Sequence, residues 1–495
     1  MSYEEFEKEV NILVNLNQAA SFLNWDEEVM MPENGVEPRS KQKSSLSKVR
    51  HDRLTSDRLG ELIDSVDEDS LDENQVANLR EIKRDREKML DVPGELIQKI
   101  SQKESECVDV WKKAKENEDF EMFAEELREL VELKREYAAA LNEDEEPYKV
   151  LYQDYEPYLS FERMKSILKE LKDGLNPLID EIKDSDADLT TDAFEGDFER
   201  EKEMDVNREI VEEMGFPEEK GRLDVSAHPF TLGNSFDSRI TTRIIEGDLT
   251  GSIMPTIHEG GHALYNLGVP EEFYGTPRGQ PRELSIHESQ SRLWENHIGR
   301  SKEFWKHALP KLKDKFPEEF SEISVEDCYE SVNQVYDDNL IRVEADELTY
   351  HMHIIIRFEI GRKLINGEIE VENLPEVWDE KMDEYLGITP ETDAEGVMQD
   401  IHWAWGSFGY FPTYTLGSVI AEQLYNTLEE EIETPANKIE NGEFEPILEW
   451  LRENIHEKGR LLKTEKLVEE ATGEKPTAKP FLNYIEDKYS DLYNL

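Results

Sequence analysis

The sequence contains little cysteine, no long hydrophobic run and few basic residues relative to acidic ones. Its 495 residues include only two cysteines, Cys107 and Cys328, which excludes a disulfide-stapled scaffold and a cysteine-rich metal site. No run of about 18 apolar residues is present to span a membrane. The opening segment MSYEEFEKEV lacks the basic start and apolar stretch of a secretory signal. We therefore expect a soluble, cytoplasmic protein with reduced cysteines.

Positive charge is scarce, because 57 Lys and Arg residues stand against 115 Asp and Glu residues, for a net charge of -58. Such a surface repels nucleic-acid phosphates and anionic lipid headgroups, so we expect no nucleic-acid partner and no membrane association. We interpret the charge as an adaptation to a salt-rich cytosol, where high ionic strength screens the self-repulsion. The alternative interpretation is an ordinary acidic protein.

Apolar residues recur at helical spacing along most of the chain, which predicts a mainly α fold. Segments 61–88 and 120–141 are predicted to be long, charged, amphipathic helices. Segment 223–245 differs, since its alternating and β-branched residues around a Gly-Asn turn predict two short strands or a hairpin. Nine of the eleven histidines lie between residues 228 and 402. We therefore expect this central span to carry the chemistry.

The segment IMPTIHEGGHALYNLG at 253–268 contains the H-E-x-x-H pattern, formed by His258, Glu259 and His262. Residues four apart lie on one face of a helix, so both imidazoles can reach one Zn²⁺. Glu259 follows the first ligand and can act as general base toward a water molecule and return the proton to a leaving amine. The pattern therefore predicts a hydrolytic metal site.

Zinc requires a third protein ligand, and the sequence offers several. Glu288, in LSIHESQSRLWENHIG, lies on one helical face with Arg292 and Glu295 and is the first candidate. Spacing alone does not select it, because acidic residues are plentiful and most belong to solvated faces. The alternatives are Glu283, Glu295 and His287.

Further short motifs occur in a fixed order along the chain. They are HPF at 228–230, DSRIT at 237–241, HEGGH at 258–262, HESQ at 287–290, IRVEAD at 341–346, GVMQDIHW at 396–403 and FGYFPTY at 408–414. With these motifs the sequence resembles the thermostable carboxypeptidase 1 family, the Taq-type metallocarboxypeptidases, over essentially its whole length.

The resemblance implies a mainly α fold with a deep active-site groove, related to the neurolysin and angiotensin-converting-enzyme architecture, with a small β hairpin or sheet near the site. It implies homodimers, one divalent metal per chain (Zn²⁺ or Co²⁺), and release of single residues from the free C-terminus of peptides. It assigns the metal to His258, His262 and Glu288, and the general base to Glu259.

We also expect a particular division of the chain. Residues 1–495 are predicted to form a single peptidase domain, in which 1–220 is a helical lobe forming a groove wall. Residues 221–420 are expected to form the catalytic core with the metal motif, and 421–495 the C-terminal helices.

A carboxypeptidase must hold a free carboxylate, and a planar guanidinium does so with two parallel hydrogen bonds. Arg342 and Arg239 are the candidates, and Arg342 is favoured. Each is open to a structural alternative, an ion pair with Asp237 for Arg239 and with Glu344 or Asp346 for Arg342.

The tetrahedral intermediate needs hydrogen-bond donors beside its oxyanion. Tyr410 and Tyr414, in a Gly- and Pro-punctuated loop, and His402 are candidates for this role, and His228 is expected to contact the substrate backbone. For each of them a buried aromatic or a satisfied core histidine is the alternative. Three further residues are expected to orient the groups that hold the metal: Gln399, Asp400 and His287.

Two other functions fit parts of the sequence. A metallo-endopeptidase or oligopeptidase of similar fold would share the metal motif, but the motifs that carry Arg239 and Arg342 argue against it. A non-catalytic acidic binding protein would be expected to lose the base, whereas Glu259 is present. A pair of peptides with free and amidated C-termini distinguishes a carboxypeptidase from an endopeptidase. Metal analysis with a peptidase assay distinguishes either enzyme from a binding protein.

The charge leads to a prediction about salt. The Debye length falls from about 30 Å at 0.01 M to about 3 Å at 1 M, so added salt relieves repulsion that the folded state concentrates. We expect the thermal midpoint to rise from dilute buffer to molar KCl, most steeply at low salt, and NaCl to act similarly. A midpoint that stays flat or falls between about 0.05 M and 2 M KCl would show that the acidity is not a salt adaptation.

Overall fold

The computed structural model describes residues 3–336 and 339–495 and consists mainly of helices around a small sheet. The helices that precede the sheet are α1 (Tyr3–Val29), α2 (Val36–Leu54), α3 (Asp57–Ser65), α4 (Glu73–Asp91), α5 (Gly94–Asn117), α6 (Glu121–Leu141), α7 (Pro147–Tyr152), α8 (Phe161–Lys183) and α9 (Arg200–Met214). None of the helices in the described ranges combines the length and the apolar character needed to cross a membrane.

The helices that follow the sheet begin with the helix of the metal motif. They are α10 (Thr250–Gly268), α11 (Leu284–Arg292), α12 (Lys302–Lys315), α13 (Pro317–Phe320), α14 (Val325–Asn333), α15 (Tyr350–Ile365), α16 (Leu374–Leu386), α17 (Pro412–Glu431), α18 (Pro435–Glu440), α19 (Glu445–Asn454), α20 (Thr464–Thr472) and α21 (Lys479–Tyr493). A π-helical turn, Leu293–Gly299, continues α11 directly.

The sheet has three strands, β1 (Gly221–Val225), β2 (Thr231–Gly233) and β3 (Ser238–Thr242), in the order β1-β3-β2. β2 and β3 are antiparallel and form the predicted hairpin, whereas β1 is parallel to β3 and was not predicted. The turn begins at Gly233, which has a φ of 149°, and the Asn234 amide donates to the Asp237 carbonyl. A Cβ at residue 233 would meet the Asp237 carbonyl oxygen at 2.2 Å, so glycine is required there.

The predicted helices are confirmed in part. Segment 120–141 corresponds to α6, but the single helix predicted over 61–88 is wrong, because α3 ends at Ser65 and α4 begins at Glu73. The break has a local cause. Asp72 accepts a hydrogen bond from the Gln75 amide while the Gln75 side chain accepts one from the Asp72 amide, a capping box that starts a new helix.

Two hydrophobic clusters stabilise the described part of the chain. The smaller lies among α1–α4 and contains Phe6, Val10, Leu13, Val14, Leu54, Leu59, Leu62, Ile63, Leu79 and Ile82. The larger extends from Val92 to Tyr493 and so includes α5–α9 together with the central and C-terminal helices. The change of cluster near residue 90 does not coincide with the boundary expected at residue 220, and the division into a lobe, a core and C-terminal helices stays a prediction.

The helix of the metal motif packs very closely on α11. A Cβ at Gly261 would lie 2.7 Å from both the Gln290 carbonyl oxygen and Ser291 Cα, so only glycine permits this approach. Glycine inside a helix costs roughly 1 kcal/mol relative to alanine. Glycine is nevertheless required at residue 261 because the backbones of α10 and α11 are in contact there.

We predict that Gly261→Ala destabilises the protein by about 1–3 kcal/mol, since the added methyl group must push α10 and α11 apart. Gly94→Ala is the matched control, because no atom lies within 4 Å of a Cβ there and alanine favours the helix. Urea unfolding of both variants measures the effect. Equal stability of Gly261→Ala and the parent would show that the two helices have room to separate.

Candidate metal centre and active site

Two helices bring three candidate ligand side chains together. His258 and His262 lie on α10, and Glu288 lies on α11. Glu288 Oε2 is 3.5 Å from His262 Nε2 and 3.8 Å from His258 Nε2, and one ligand atom from each residue lies within 4.8 Å of the others. Two imidazole nitrogens and one carboxylate oxygen form the donor set of a catalytic zinc-type site with open coordination positions. The donor chemistry therefore fits the implied divalent metal.

The three alternative third ligands lie elsewhere. Glu283 pairs with Arg282, Glu295 contacts Nδ1 of His258, and His287 contacts Nδ1 of His262. Each of the latter two is thus on the side of a ligand imidazole that faces away from the cluster. Of the four, Glu288 is the one that lies in the candidate cluster with His258 and His262.

Arginine keeps the buried Glu288 carboxylate ionised. Arg292 Nε donates to Glu288 Oε1 over 2.8 Å. Burial alone would raise the pKa of Glu288, but the charges of Arg292 and His258 outweigh it and hold that pKa well below its usual range. Helix α17 also packs closely on the Glu288 side chain, since a Cβ at Gly417 would lie 2.4 Å from Glu288 Cγ. Both features fix the ligand oxygen in place.

The π-helical turn after α11 places a second carboxylate behind the cluster. Glu295 Oε2 is 2.7 Å from His258 Nδ1 and 3.2 Å from Arg292 Nη1, and Arg300 also contacts Glu295. A carboxylate on the outer nitrogen of a ligand histidine fixes its tautomer and raises its basicity. π-Helical turns inside α-helices frequently occur at functional sites.

Glu259 is buried beside the edge strand of the sheet. Thr231 on β2 donates from Oγ1 to Glu259 Oε2 over 2.6 Å. The same strand lines a cavity of about 430 Å³ between the sheet and the N-terminal helices, whose lining residues are Ser21, Asn24, Glu27, Glu28, Lys43, Phe230, Thr231 and Leu232. Thr231 therefore connects the candidate base to a space of a size suited to part of a peptide.

Aromatic residues after His402 form a cluster on the Glu288 side of the site. Tyr414 OH is 3.3 Å from His402 Nε2, and the Tyr410 and Tyr414 rings are 5.3 Å apart. Burial raises the pKa of Tyr410 to about 12, with a further contribution from the charge of Glu288. Burial lowers the pKa of His402 to about 4. Near neutral pH both groups are therefore uncharged, and Tyr410 retains its O–H donor.

Arg342 is buried and paired with Asp400. Its Nε and Nη2 donate to Asp400 Oδ1 over 3.1 and 2.7 Å, and its Nη1 donates to Tyr350 OH over 3.3 Å. The structural alternative was an ion pair with Glu344 or Asp346, but the partner is Asp400, which lies 58 residues away in sequence. Arg357 Nε donates to the other oxygen of Asp400 over 2.6 Å.

Gln399 and Asp400 hold these arginines. Gln399 Oε1 accepts hydrogen bonds from the Arg342 amide over 2.9 Å and from Arg357 Nη2 over 2.6 Å. Gln399 Nε2 also donates to the Leu340 carbonyl, and Asp400 Oδ1 lies 3.8 Å from His402 Nδ1. Both side chains thus position guanidinium groups, and their expected role of orienting a ligand imidazole stays a prediction. His287, by contrast, does lie against a ligand imidazole, with its Nδ1 2.6 Å from His262 Nδ1.

Arg239 and His228 lie in the sheet region. Arg239 forms a bidentate pair with Asp237, over 2.9 and 2.7 Å, and its guanidinium lies 4.7 and 4.6 Å from the ring centroids of Phe22 and Trp25. This is the structural ion pair weighed as the alternative. His228 is exposed in the loop between β1 and β2.

Sequence reasoning missed several residues of the site. Thr231 carries no motif signal, since a threonine in a strand is ordinary. Tyr350 accepts a hydrogen bond from Arg342, and its ring lies under the Arg292 guanidinium. No short-range motif links Tyr350 to these two arginines. Glu295 was considered only as a ligand, and its spacing of seven residues from Glu288 was the available signal for a role nearby.

Comparison with known proteins identifies the family. The family model described as carboxypeptidase Taq (M32) metallopeptidase matches residues 5–489. Thermostable carboxypeptidase 1 of Thermus thermophilus is 39% identical, with 99% of this chain and 98% of that protein covered. Carboxypeptidase 1 of Bacillus subtilis is 36% identical, with both chains covered completely.

A solved structure shows the same fold. The crystal structure of the M32 carboxypeptidase from Deinococcus radiodurans has a TM-score of 0.96 and 32% identity, and the match covers 100% of this chain and 99% of that one. The mainly helical architecture with its small sheet is thus the architecture of solved M32 carboxypeptidases. The chain belongs to the carboxypeptidase Taq (M32) metallopeptidase family and is a peptide hydrolase that acts as a metal-dependent carboxypeptidase.

Proposed function

We propose that this enzyme releases single amino acids from the free C-terminus of peptides, with His258, His262 and Glu288 holding one Zn²⁺ or Co²⁺ and Glu259 acting as general base. The observation that carries the proposal is the convergence of His258 Nε2, His262 Nε2 and Glu288 Oε2 beside Glu259. When bound, the cation lowers the pKa of a water molecule and polarises the scissile carbonyl.

Glu259 moves the proton. Thr231 donates to Oε2 of its carboxylate and so fixes the side chain, which leaves Oε1 to accept a proton from the attacking water. The same oxygen then delivers the proton to the nitrogen of the leaving amino acid. Burial beside β2 excludes bulk water from this carboxylate.

Tyr410 is the favoured donor to the oxyanion. Its hydroxyl keeps its proton at neutral pH, and burial raises its pKa further, to about 12. Tyr414 contacts His402 over 3.3 Å and is also hydrogen-bonded to Tyr410, so Tyr414 is engaged by both neighbours. A donor that meets the oxygen only after charge develops there favours the transition state over the substrate.

Arg342 is the favoured group for the substrate carboxylate. A guanidinium has five N–H donors, and Asp400 and Tyr350 take three of those on Arg342, through Nε, Nη2 and Nη1. One N–H of Nη1 and one of Nη2 remain, and a guanidinium with two such donors can still bind a carboxylate. Asp400 thus orients the Arg342 guanidinium without using all of its N–H donors. Arg239 has Asp237 on its side edge and aromatic rings against its face.

Finer features complete the proposal, some from the family resemblance and some from the charge and the cavity. The body of the peptide is proposed to lie in the cavity beside β2, with His228 near its path. We also propose a cytoplasmic homodimer in a salt-adapted cell, with a single peptidase domain related to the neurolysin architecture. An endopeptidase of the same fold is the alternative, and peptide ends distinguish the two.

We predict that Glu259→Gln lowers kcat about 10²–10⁴-fold while metal content and thermal midpoint stay at parental values, because an amide cannot accept the proton from water. Metal analysis of the purified variant and steady-state kinetics test this. His258→Ala and Glu288→Ala are the contrasting variants, since they should lose the metal itself. Substantial turnover by Glu259→Gln would mean that another group is the base.

We predict that the parent shortens a free-acid peptide one residue at a time and leaves its amidated twin nearly intact, as read by mass spectrometry. Arg342→Ala should raise the KM for the free-acid peptide by an amount equivalent to about 1.5–3 kcal/mol, because a charge-assisted contact is lost. KM is compared at matched metal loading.

Arg239→Ala is the control for that variant, because Arg239 is also paired with an aspartate but lies against α1. Equal cleavage of the acid and amide peptides, or internal cuts, would contradict the carboxypeptidase mechanism proposed above. An effect confined to Arg239→Ala would move the carboxylate site to the sheet.

A further inference from the structure

The two ligand histidines are held from behind in different ways. His258 has an anionic partner, the Glu295 carboxylate, at its Nδ1. His262 has a second imidazole there, because its Nδ1 lies 2.6 Å from Nδ1 of His287. An imidazole pair carries one proton between two nitrogens, so its polarity must be set by something else. The structure contains a group that can set it.

That group is Asn266, one turn beyond His262 on α10. Asn266 Oδ1 lies 3.1 Å from His287 Nε2, and Asn266 Nδ2 donates to Ser238 Oγ on β3 over 3.2 Å. Asn266 and Ser238 are both buried. The Tyr265 ring packs against the His287 ring at a centroid distance of 5.3 Å. The chain from ligand to sheet is therefore His262, His287, Asn266 and Ser238.

Only one arrangement of protons leaves His262 ready to bind a metal. With Asn266 Oδ1 toward His287, His287 Nε2 carries a proton and donates it, so neutral His287 has a lone pair on Nδ1. That lone pair accepts from His262 Nδ1–H, and His262 Nε2 then presents its own lone pair to the cluster.

The reversed arrangement fails. If the Asn266 amide were turned, its Nδ2 would donate to His287 Nε2, and the proton on His287 Nδ1 would point at His262 Nδ1. Neutral His262 would then carry its proton on Nε2, facing Glu288 Oε2 at 3.5 Å, and could not act as a ligand through that atom. The orientation of the buried Asn266 amide therefore decides whether His262 Nε2 is available to bind the metal.

We propose that Asn266 is a positioning residue for the metal site, which fixes the tautomer of His262 through His287. This inference rests on the proposed metal ligands and extends them to a residue that touches neither the metal cluster nor the substrate. It commits to a polarity, in which position 266 must offer a hydrogen-bond acceptor to His287.

Two substitutions separate the acceptor from the bulk of the side chain. Asn266→Leu keeps the approximate size but removes the acceptor, and we expect it to weaken Zn²⁺ binding about 10–100-fold. Asn266→Asp offers only acceptors, with Ser238 able to donate to it, and should bind Zn²⁺ at least as tightly as the parent. The measurement is Zn²⁺ titration of the metal-free protein against a chromophoric chelator.

Asn207→Leu is the matched control. Asn207 is also buried, and its Nδ2 donates to Ser252 Oγ over 3.0 Å at the beginning of α10, away from the cluster. Its loss should lower the thermal midpoint of the metal-free protein comparably but leave the Zn²⁺ Kd unchanged. A general effect of removing a buried amide would instead move the Kd of both leucine variants.

Each result bears on one claim. Parental Zn²⁺ affinity in Asn266→Leu, or an equal loss in a folded Asn266→Asp, overturns the tautomer role. A parent that binds no Zn²⁺, or a His258→Ala variant that binds it as tightly, overturns the proposed metal ligands. Loss in Asn266→Leu together with retention in Asn266→Asp and Asn207→Leu supports the inference.

Discussion

The close approach of α10 and α11 is the constraint on which the rest of this structure depends. The ligand atoms of His258, His262 and Glu288 must come within a few ångströms, yet two helices normally lie 8–10 Å apart because of the side chains between them. Gly261 removes the side chain at the crossing, and Gly417 removes it where α17 covers Glu288. The glycines at these two positions are therefore as necessary for the cluster as the candidate ligands themselves.

Some of the scarce positive charges lie where buried carboxylates must stay ionised. Arg292 lies between Glu288 and Glu295, and the buried Arg342 and Arg357 both contact Asp400. Without these guanidinium groups, burial would raise the pKa of each carboxyl and favour its neutral form, which neither ligates a metal nor orients an arginine. In a chain with a net charge of -58, these buried arginines therefore each have a defined carboxylate partner.

The sequence predicted those parts of the site that short-range spacing determines. His258, Glu259 and His262 fall within five residues, so helical periodicity alone brings them together. Glu288 needed the resemblance, because nothing in its local spacing distinguishes it from other acids. The orienting role of Glu295 depends on a π-helical turn that the apolar pattern does not reveal, and the Arg342–Asp400 pair joins segments 58 residues apart.

The fold shows the same division between local and long-range information. The predicted helix over 120–141 and the hairpin of β2 and β3 follow from periodicity and turn residues within one segment. The break before α4 depends on the capping box at Asp72. This side-chain contact starts a new helix although the apolar spacing continues through it. The parallel strand β1 is held by pairing with β3 beyond an intervening strand, which no local pattern records.

Surface charge and site charge respond to salt through different physics. Exposed carboxylates repel one another through water, so their repulsion falls as the Debye length shortens. The Arg292–Glu288 and Arg342–Asp400 pairs are largely enclosed by protein, where mobile ions do not enter and screening is weak. Salt can therefore relieve the repulsion that opposes folding without loosening the pairs that position the ligand and the candidate carboxylate-binding arginine. An acidic surface and a buried, arginine-stabilised active site are thus compatible within one chain.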